Sequence, residues 1–187
     1  MNRALTATIV VVILLLGLAA WLLLRPNSKS ASHVQLKKST MTITSPAFAA
    51  NGVIPKEYTC QGDGMSPELH FGDVPAGTMT FALTLEDPDA PAAGGFDHWV
   101  VWNIPSDLTL VYRNAPPTGA ILGQNSNGTN GYTPPCPPSG EHRYVFTVFA
   151  LNTKLSLPKT SKKAGLLKAM EGHVVGQGQL IGKYKKV

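Results

Sequence analysis

Charge is scarce in this chain: acidic and basic side chains make up 14% of its 187 residues. Lys and Arg outnumber Asp and Glu by 16 to 11, a formal surplus of +5. The surplus alone would suit a polyanion, but the lysines gather at Lys37–Lys38 and between Lys154 and Lys186 with no nucleic-acid-binding signature beside them. A nucleic-acid partner is therefore not expected. Cysteine is scarcer still, with only Cys60 and Cys136, too few for a structural zinc site. The sequence also lacks any His-Glu-x-x-His, Gly-x-Ser-x-Gly or Walker pattern, so neither a metal hydrolase nor an activated nucleophile has a local signature. No catalytic residue, metal or cofactor is expected. No internal repeat is visible. The 18 Gly and 15 Pro follow no collagen-like period and read as turns between many short strands. At 43% hydrophobic, the composition is too apolar for a disordered chain.

What is present begins with an apolar block. From Ala4 to Leu24 no residue is charged, and Ile9 to Leu16 is wholly aliphatic. That length matches the roughly 20 residues a helix needs to cross a bilayer. A cleaved signal peptide would have a shorter apolar run, and only Ser30-Ala31-Ser32 resembles a cleavage site. The pattern predicts a transmembrane signal anchor over 1–25, a Ser- and Lys-rich linker over 26–40 and one domain over 41–187. Arg25, Lys29, Lys37 and Lys38 follow the block and only Arg3 precedes it. This count favours a cytoplasmic domain. An apolar segment at the extreme N-terminus acts as an export signal, however, and two cysteines suit an oxidising compartment. The expectation is a single-pass membrane protein with an extracytoplasmic domain, periplasmic or extracellular.

Within the domain, Met41–Thr44 alternates like a short strand, and Thr80–Leu85 is a second strand stopped by Pro88 and Pro91. His98–Pro105 and Arg143–Leu151 are apolar at successive positions, the mark of central strands covered on both faces. Gly119–Gly140 is too rich in Gly, Asn, Pro and Ser for a helix, and its Asn127-Gly128-Thr129 reads as loop chemistry. Ser161–Gly172 is the one helix expected, with Leu166, Leu167 and Met170 on a face, and Gln179–Tyr184 is a last strand. The fold class predicted is mostly β, an antiparallel Greek-key sandwich with a short C-terminal helix, preceded by the transmembrane helix.

Three polar clusters sit at strand ends: Asp87-Pro88-Asp89-Ala90-Pro91, Asp97-His98, and Gly140-Glu141-His142-Arg143-Tyr144. Each alone is ordinary turn chemistry. Together, on one rim of a sheet, they would make a ligand pocket of convergent polar groups. The first cluster with His98, and Pro137 to Phe146, resemble the two signature segments of the phosphatidylethanolamine-binding (Raf-kinase-inhibitor-like) family. Tyr58-Thr59-Cys60-Gln61-Gly62 with Ser66-Pro67-Glu68-Leu69 resembles the bacterial and archaeal branch, and the match runs from Met41 to Lys186. The resemblance implies a β-sandwich with a small anion pocket, no general enzymatic activity, and Asp87, His98, His142 and Tyr144 as pocket residues. It departs from the animal members at Phe96, where they have Trp, and in lacking their C-terminal extension.

Strand alternation independently puts His142 and Tyr144 on one face and turns Arg143 to the other, where it would serve structure, paired with Asp89. The family places Cys60 and Cys136 at one rim of the pocket, which implies a disulfide; two free thiols are the alternative. The leading function is a binding module for a phosphate, sulfate, carboxylate or phospholipid head group. A protein-interaction inhibitor of a kinase or serine protease, with Gly119–Pro138 as its loop, is the second reading, and a metal-dependent hydrolase using His98 and His142 is the third.

Overall fold

In the computed structural model, residues 39–187 are described. Their elements are β1 (Ser39–Thr40), β2 (Thr42–Thr44), a 3-10 turn (Lys56–Tyr58), β3 (Leu69–Gly72), β4 (Thr80–Asp87), β5 (Phe96–Pro105), β6 (Leu110–Val111), β7 (Ile121–Leu122), β8 (Glu141–Leu151), α1 (Lys163–Ala169) and β9 (Val174–Lys185). Six strands form one sheet in the order β1-β9-β8-β4-β5-β7, and β2-β3-β6 form a second. The apolar runs β4, β5 and β8 are interior strands of the larger sheet, and the burial of both their faces has two causes. Phe81, Leu83, Leu85, Trp99, Val101, Phe146 and Val148 pack toward Ile43, Leu69 and Phe71 of the small sheet. On the reverse face, Ala82, Val100, Trp102 and Phe149 pack beneath Leu166 and Met170 of α1 and its C-cap. A strand covered on both sides has no polar face to show, so alternation disappears from its sequence.

Several expectations need correction. No helix among the described residues is long and apolar enough to cross a membrane. The transmembrane helix expected over 1–25 falls outside them, so the fold described is mostly β with one short helix, and the membrane-anchored location read from that segment is withdrawn. Ser39 and Thr40, assigned by sequence to the linker, pair in parallel with Gly176 and Gln177, so the sheet is not wholly antiparallel. The strand expected after the helix is longer than predicted: its twelve residues start five before Gln179. Leu167 is exposed while Leu166 and Met170 are buried, because i and i+4 share a helix face and the residue between them is rotated away.

One buried asparagine ties the sheet to the segment leading into α1. Asn103 sits in β5 at φ 57°, a conformation that Asn tolerates better than most residues. Its side chain donates to the Leu155 carbonyl at 2.9 Å and accepts from the Leu155 N–H at 2.8 Å. Asn103→Ala should cost about 3 kcal/mol, since it strands two buried backbone groups and forces Ala into the left-handed region. A urea titration showing less than about 1 kcal/mol would contradict this account.

Candidate ligand-binding site

The site is built where three strand ends meet. Asp87 closes β4, His98 lies near the start of β5, and His142 and Tyr144 lie near the start of β8. On β8 the burial alternates as the sequence predicts: His142 and Tyr144 are buried, Glu141 and Arg143 exposed. His98 needs a different device. Leu85 pairs with Trp99 and Glu86 with Asp97, which leaves His98 without a cross-strand partner. Such a β-bulge re-aims a side chain, and the His98 ring packs 4.7 Å from Phe96 and 5.3 Å from Tyr144, centroid to centroid. Gly95, at φ 78°, makes the tight return before β5, where any Cβ would lie 2.6 Å from the Asp87 carbonyl.

Behind the bulge, on the opposite face, Lys163 of α1 bridges Glu86 and Asp97. From the loop side, Ser126 Oγ accepts the Asp97 N–H and the Ser126 N–H donates to the Asp97 carbonyl, both at 2.9 Å. The bulge is thus fixed from front and rear.

A cavity of about 370 Å³ opens over these residues, lined by Asp87, Phe96 and His98 and walled by Ala90, Pro91, Thr133, Pro134, Cys136 and Pro138. His142 and Tyr144 are not on its lining. His142 stands behind Asp87, donating from Nδ1 to Oδ2 at 2.8 Å, with both side chains less than a tenth exposed. The other Asp87 oxygen accepts the Asp89 N–H at 2.9 Å. Tyr144 is fully buried against the His98 ring, with its hydroxyl directed at the Asp87 carboxylate and the Cys136 backbone. Burial, and then the Asp87 carboxylate, push the Tyr144 phenol strongly upward, so it stays protonated as a donor.

The state of His98 follows from its neighbours. Nδ1 lies 2.8 Å from the Thr133 carbonyl, which can only accept, so Nδ1 carries the proton. Burial lowers the pKa of His98 below its ordinary value, against the opposing pull of that carbonyl, Asp87 and Asp97. The ring is therefore neutral at pH 7, with Nε2 a free acceptor. The resemblance implies both histidines as pocket residues; the structure puts His98 on the cavity lining and turns His142 to Asp87.

Arg143 turns outward, where its guanidinium grips both Asp89 oxygens at 2.7 and 2.9 Å and its backbone N–H donates to the same carboxylate. Those bonds hold the Asp89 carboxyl down at about 2.

Cys60 and Cys136 are joined by a disulfide with Cα atoms 5.4 Å apart. The Gly119–Pro138 segment does not protrude as a free loop. Asn125, 1% exposed, accepts the N–H groups of Asn127 and Thr129 and donates to Thr129, Gly131 and Thr133. Asn130 pins the same segment to Leu122 and Lys159. The sequence offered no signal for Asn125 or for the Thr133 carbonyl, since both act through a loop conformation that composition does not encode. Among the described residues, no three His, Cys, Asp or Glu side chains group as metal ligands.

A sequence model described as phosphatidylethanolamine-binding protein matches residues 44–185. The UPF0098 protein of Methanothermobacter thermautotrophicus is 45% identical over 151 residues, covering 78% of this chain and 99% of that protein. The UPF0098 protein of Chlamydia pneumoniae is 43% identical over 150 residues, with the same coverage of 78% and 99%. Among solved structures, CT736 of Chlamydia trachomatis, described as a phosphatidylethanolamine-binding protein homologue, superimposes with a TM-score of 0.76 at 40% identity, covering 80% of this chain and all of that one. YbcL of E. coli, described as a new member of the mammalian PEBP family, gives 0.75 at 31% identity with the same coverage of 80% and 100%.

Proposed function

The chain belongs to the phosphatidylethanolamine-binding protein family, and from that membership and the cavity's geometry we propose that it binds a small oxyanion, a phosphate or phosphorylated head group. The observation that carries this reading is the free Nε2 of His98 on the lining of the cavity beside Asp87, with buried Tyr144 packed beneath the His98 ring. Asp87 would repel an anion if its charge were bare. Both of its oxygens, however, accept N–H bonds from Asp89 and His142, which disperse that charge. The apolar remainder of the cavity, Ala90, Pro91, Phe96 and Pro138, suits whatever carries the oxyanion.

Because Nε2 of the neutral His98 can only accept, an anion must either bring an acidic O–H to it or find the ring newly protonated. With the ring newly protonated, the complex holds one more proton than the separated partners. The sign follows: affinity strengthens as pH falls through the window beneath the ordinary histidine value, toward the lowered pKa of His98, and weakens as pH rises. Titration calorimetry with inorganic phosphate and phosphoethanolamine should show Kd rising roughly tenfold per pH unit above that window. It should also show proton uptake on binding when buffers of different ionisation enthalpy are compared. Affinity independent of pH between 5 and 8, or undiminished in His98→Ala, would refute the assignment.

A further inference from the structure

We propose that the Cys60–Cys136 disulfide is a thiol–disulfide exchange site through which a dithiol reductant switches ligand binding off. The proposal rests on the reading of the cavity as an oxyanion site.

Cys136 is in the cavity wall, and both half-cystines are solvent-exposed. An exposed disulfide is open to thiolate attack, unlike one sealed in a core. The wall it holds is short of other fastenings. Of the six residues from Thr133 to Pro138, four are proline and offer no N–H, so the strap cannot be held by a strand ladder. Its hydrogen bonds to the rest of the fold are few. Thr133 donates to the His98 carbonyl at 2.9 Å and accepts from His98 Nδ1, and the Cys60 N–H donates to the Pro135 carbonyl at 3.0 Å. Between the strap and the turn after Tyr58 the disulfide is the covalent tie, beside the Cys60 N–H bond to Pro135 and the Tyr132 hydroxyl bond to the Tyr58 carbonyl at 2.9 Å. Thr133 is also the group that fixes the His98 tautomer, so slack in the strap reaches the binding nitrogen directly.

The step balances without outside atoms. One thiolate of the dithiol attacks a cystine sulfur and expels the other cysteine as a thiolate, forming a mixed disulfide. The second thiol of the reductant then displaces the bound cysteine. The reductant leaves as its own disulfide, and Cys60 and Cys136 end as two thiols.

The full chain is titrated with inorganic phosphate and phosphoethanolamine at pH 6 in four forms: oxidised, reduced by dithiothreitol with thiols counted by alkylation and mass, Cys60→Ser, and Cys136→Ser. Near-UV circular dichroism follows the fold. The expected result is at least tenfold weaker binding in the reduced chain and in both variants, all still folded, with affinity restored on reoxidation of the unsubstituted chain only. Equal affinity in oxidised and reduced chains overturns the exchange site alone. So does a disulfide that resists the dithiol until the chain is denatured, or a reduced chain already unfolded at the assay temperature, since the bridge is then a structural staple. An oxidised chain that binds neither probe overturns the oxyanion reading itself, and the switch with it.

Discussion

Asp87→Ala should weaken phosphate binding by at least about 30-fold, the equivalent of about 2 kcal/mol, and lower stability by about 3 kcal/mol. Its carboxylate is the one group that touches both the cavity and the hidden His142, with both side chains buried. Truncation leaves His142 Nδ1 and the Asp89 N–H without acceptors. Unpaired buried donors of this kind cost more than the hydrogen bonds they once made. Asp87→Asn separates the two roles. An amide offers one oxygen where the native carboxylate serves two donors, so His142 must change tautomer and accept from the new NH₂ group. The fold should survive, and the His142 ring nitrogens should shift visibly in NMR spectra. The neighbouring pair gives the contrast. Arg143→Ala removes an exposed partner of Asp89 and should leave phosphate affinity unchanged. Asp89 has a depressed carboxyl, so its contribution is present above the unfolded value near 4 and is lost as pH falls toward about 2. Acid-unfolding curves of the two proteins should therefore differ above that window and converge below it, by a small amount because the pair is solvent-screened. Wild-type affinity in Asp87→Ala, or weakened affinity in Arg143→Ala, would reverse the roles argued for the two aspartates.

How much of this was readable beforehand depends on whether the cause is local. Alternation along β8 is a property of any strand, so the inward His142 and Tyr144 and the outward Arg143 followed from spacing alone. Spacing turns Arg143 outward but does not choose its partner, which Asp89 becomes because the turn after β4 lies beside the start of β8. His98 was recognisable as a pocket residue by resemblance, but its aim depends on a bulge. A bulge is a mismatch between two strands and cannot be seen in either one. The division of labour between the histidines was hidden too, because the Thr133 carbonyl that sets the His98 tautomer arrives from 35 residues away. Strand β9 was half missed: its first residues, Val174-Val175-Gly176-Gln177-Gly178, contain two glycines that lower any strand expectation. Their reason lies in what crosses over them.

Gly178→Val should be the most destabilising of the substitutions considered, by about 3 kcal/mol or more. After β1 pairs with β9, the chain leaves the large sheet at Met41 and enters β2 of the small one, so its backbone passes directly over the β9 surface. A Cβ on Gly178 would lie 2.5 Å from the Met41 carbonyl oxygen and 2.9 Å from its carbon. Main chain cannot rotate away as a side-chain tip can. Relief would require lifting Met41, which is 3% exposed and bonded from its N–H to the Gln177 carbonyl at 2.9 Å. Gly176, two residues earlier on the same face, meets Pro75 in the same way, with a Cβ 2.5 Å from the ring. The pair of glycines is thus the groove that lets one sheet hand the chain to the other. Gly165→Ala provides the opposite case. In α1 the nearest atom to a new Cβ is 3.7 Å away, and the residue is already helical. That substitution should stabilise by about 0.5–1 kcal/mol through lost freedom of the unfolded chain. Chemical denaturation of the two variants beside the unsubstituted chain is decisive. A Gly178→Val protein as stable as its parent would mean that the crossing at Met41 is loose, and with it the account of why β9 begins on glycine.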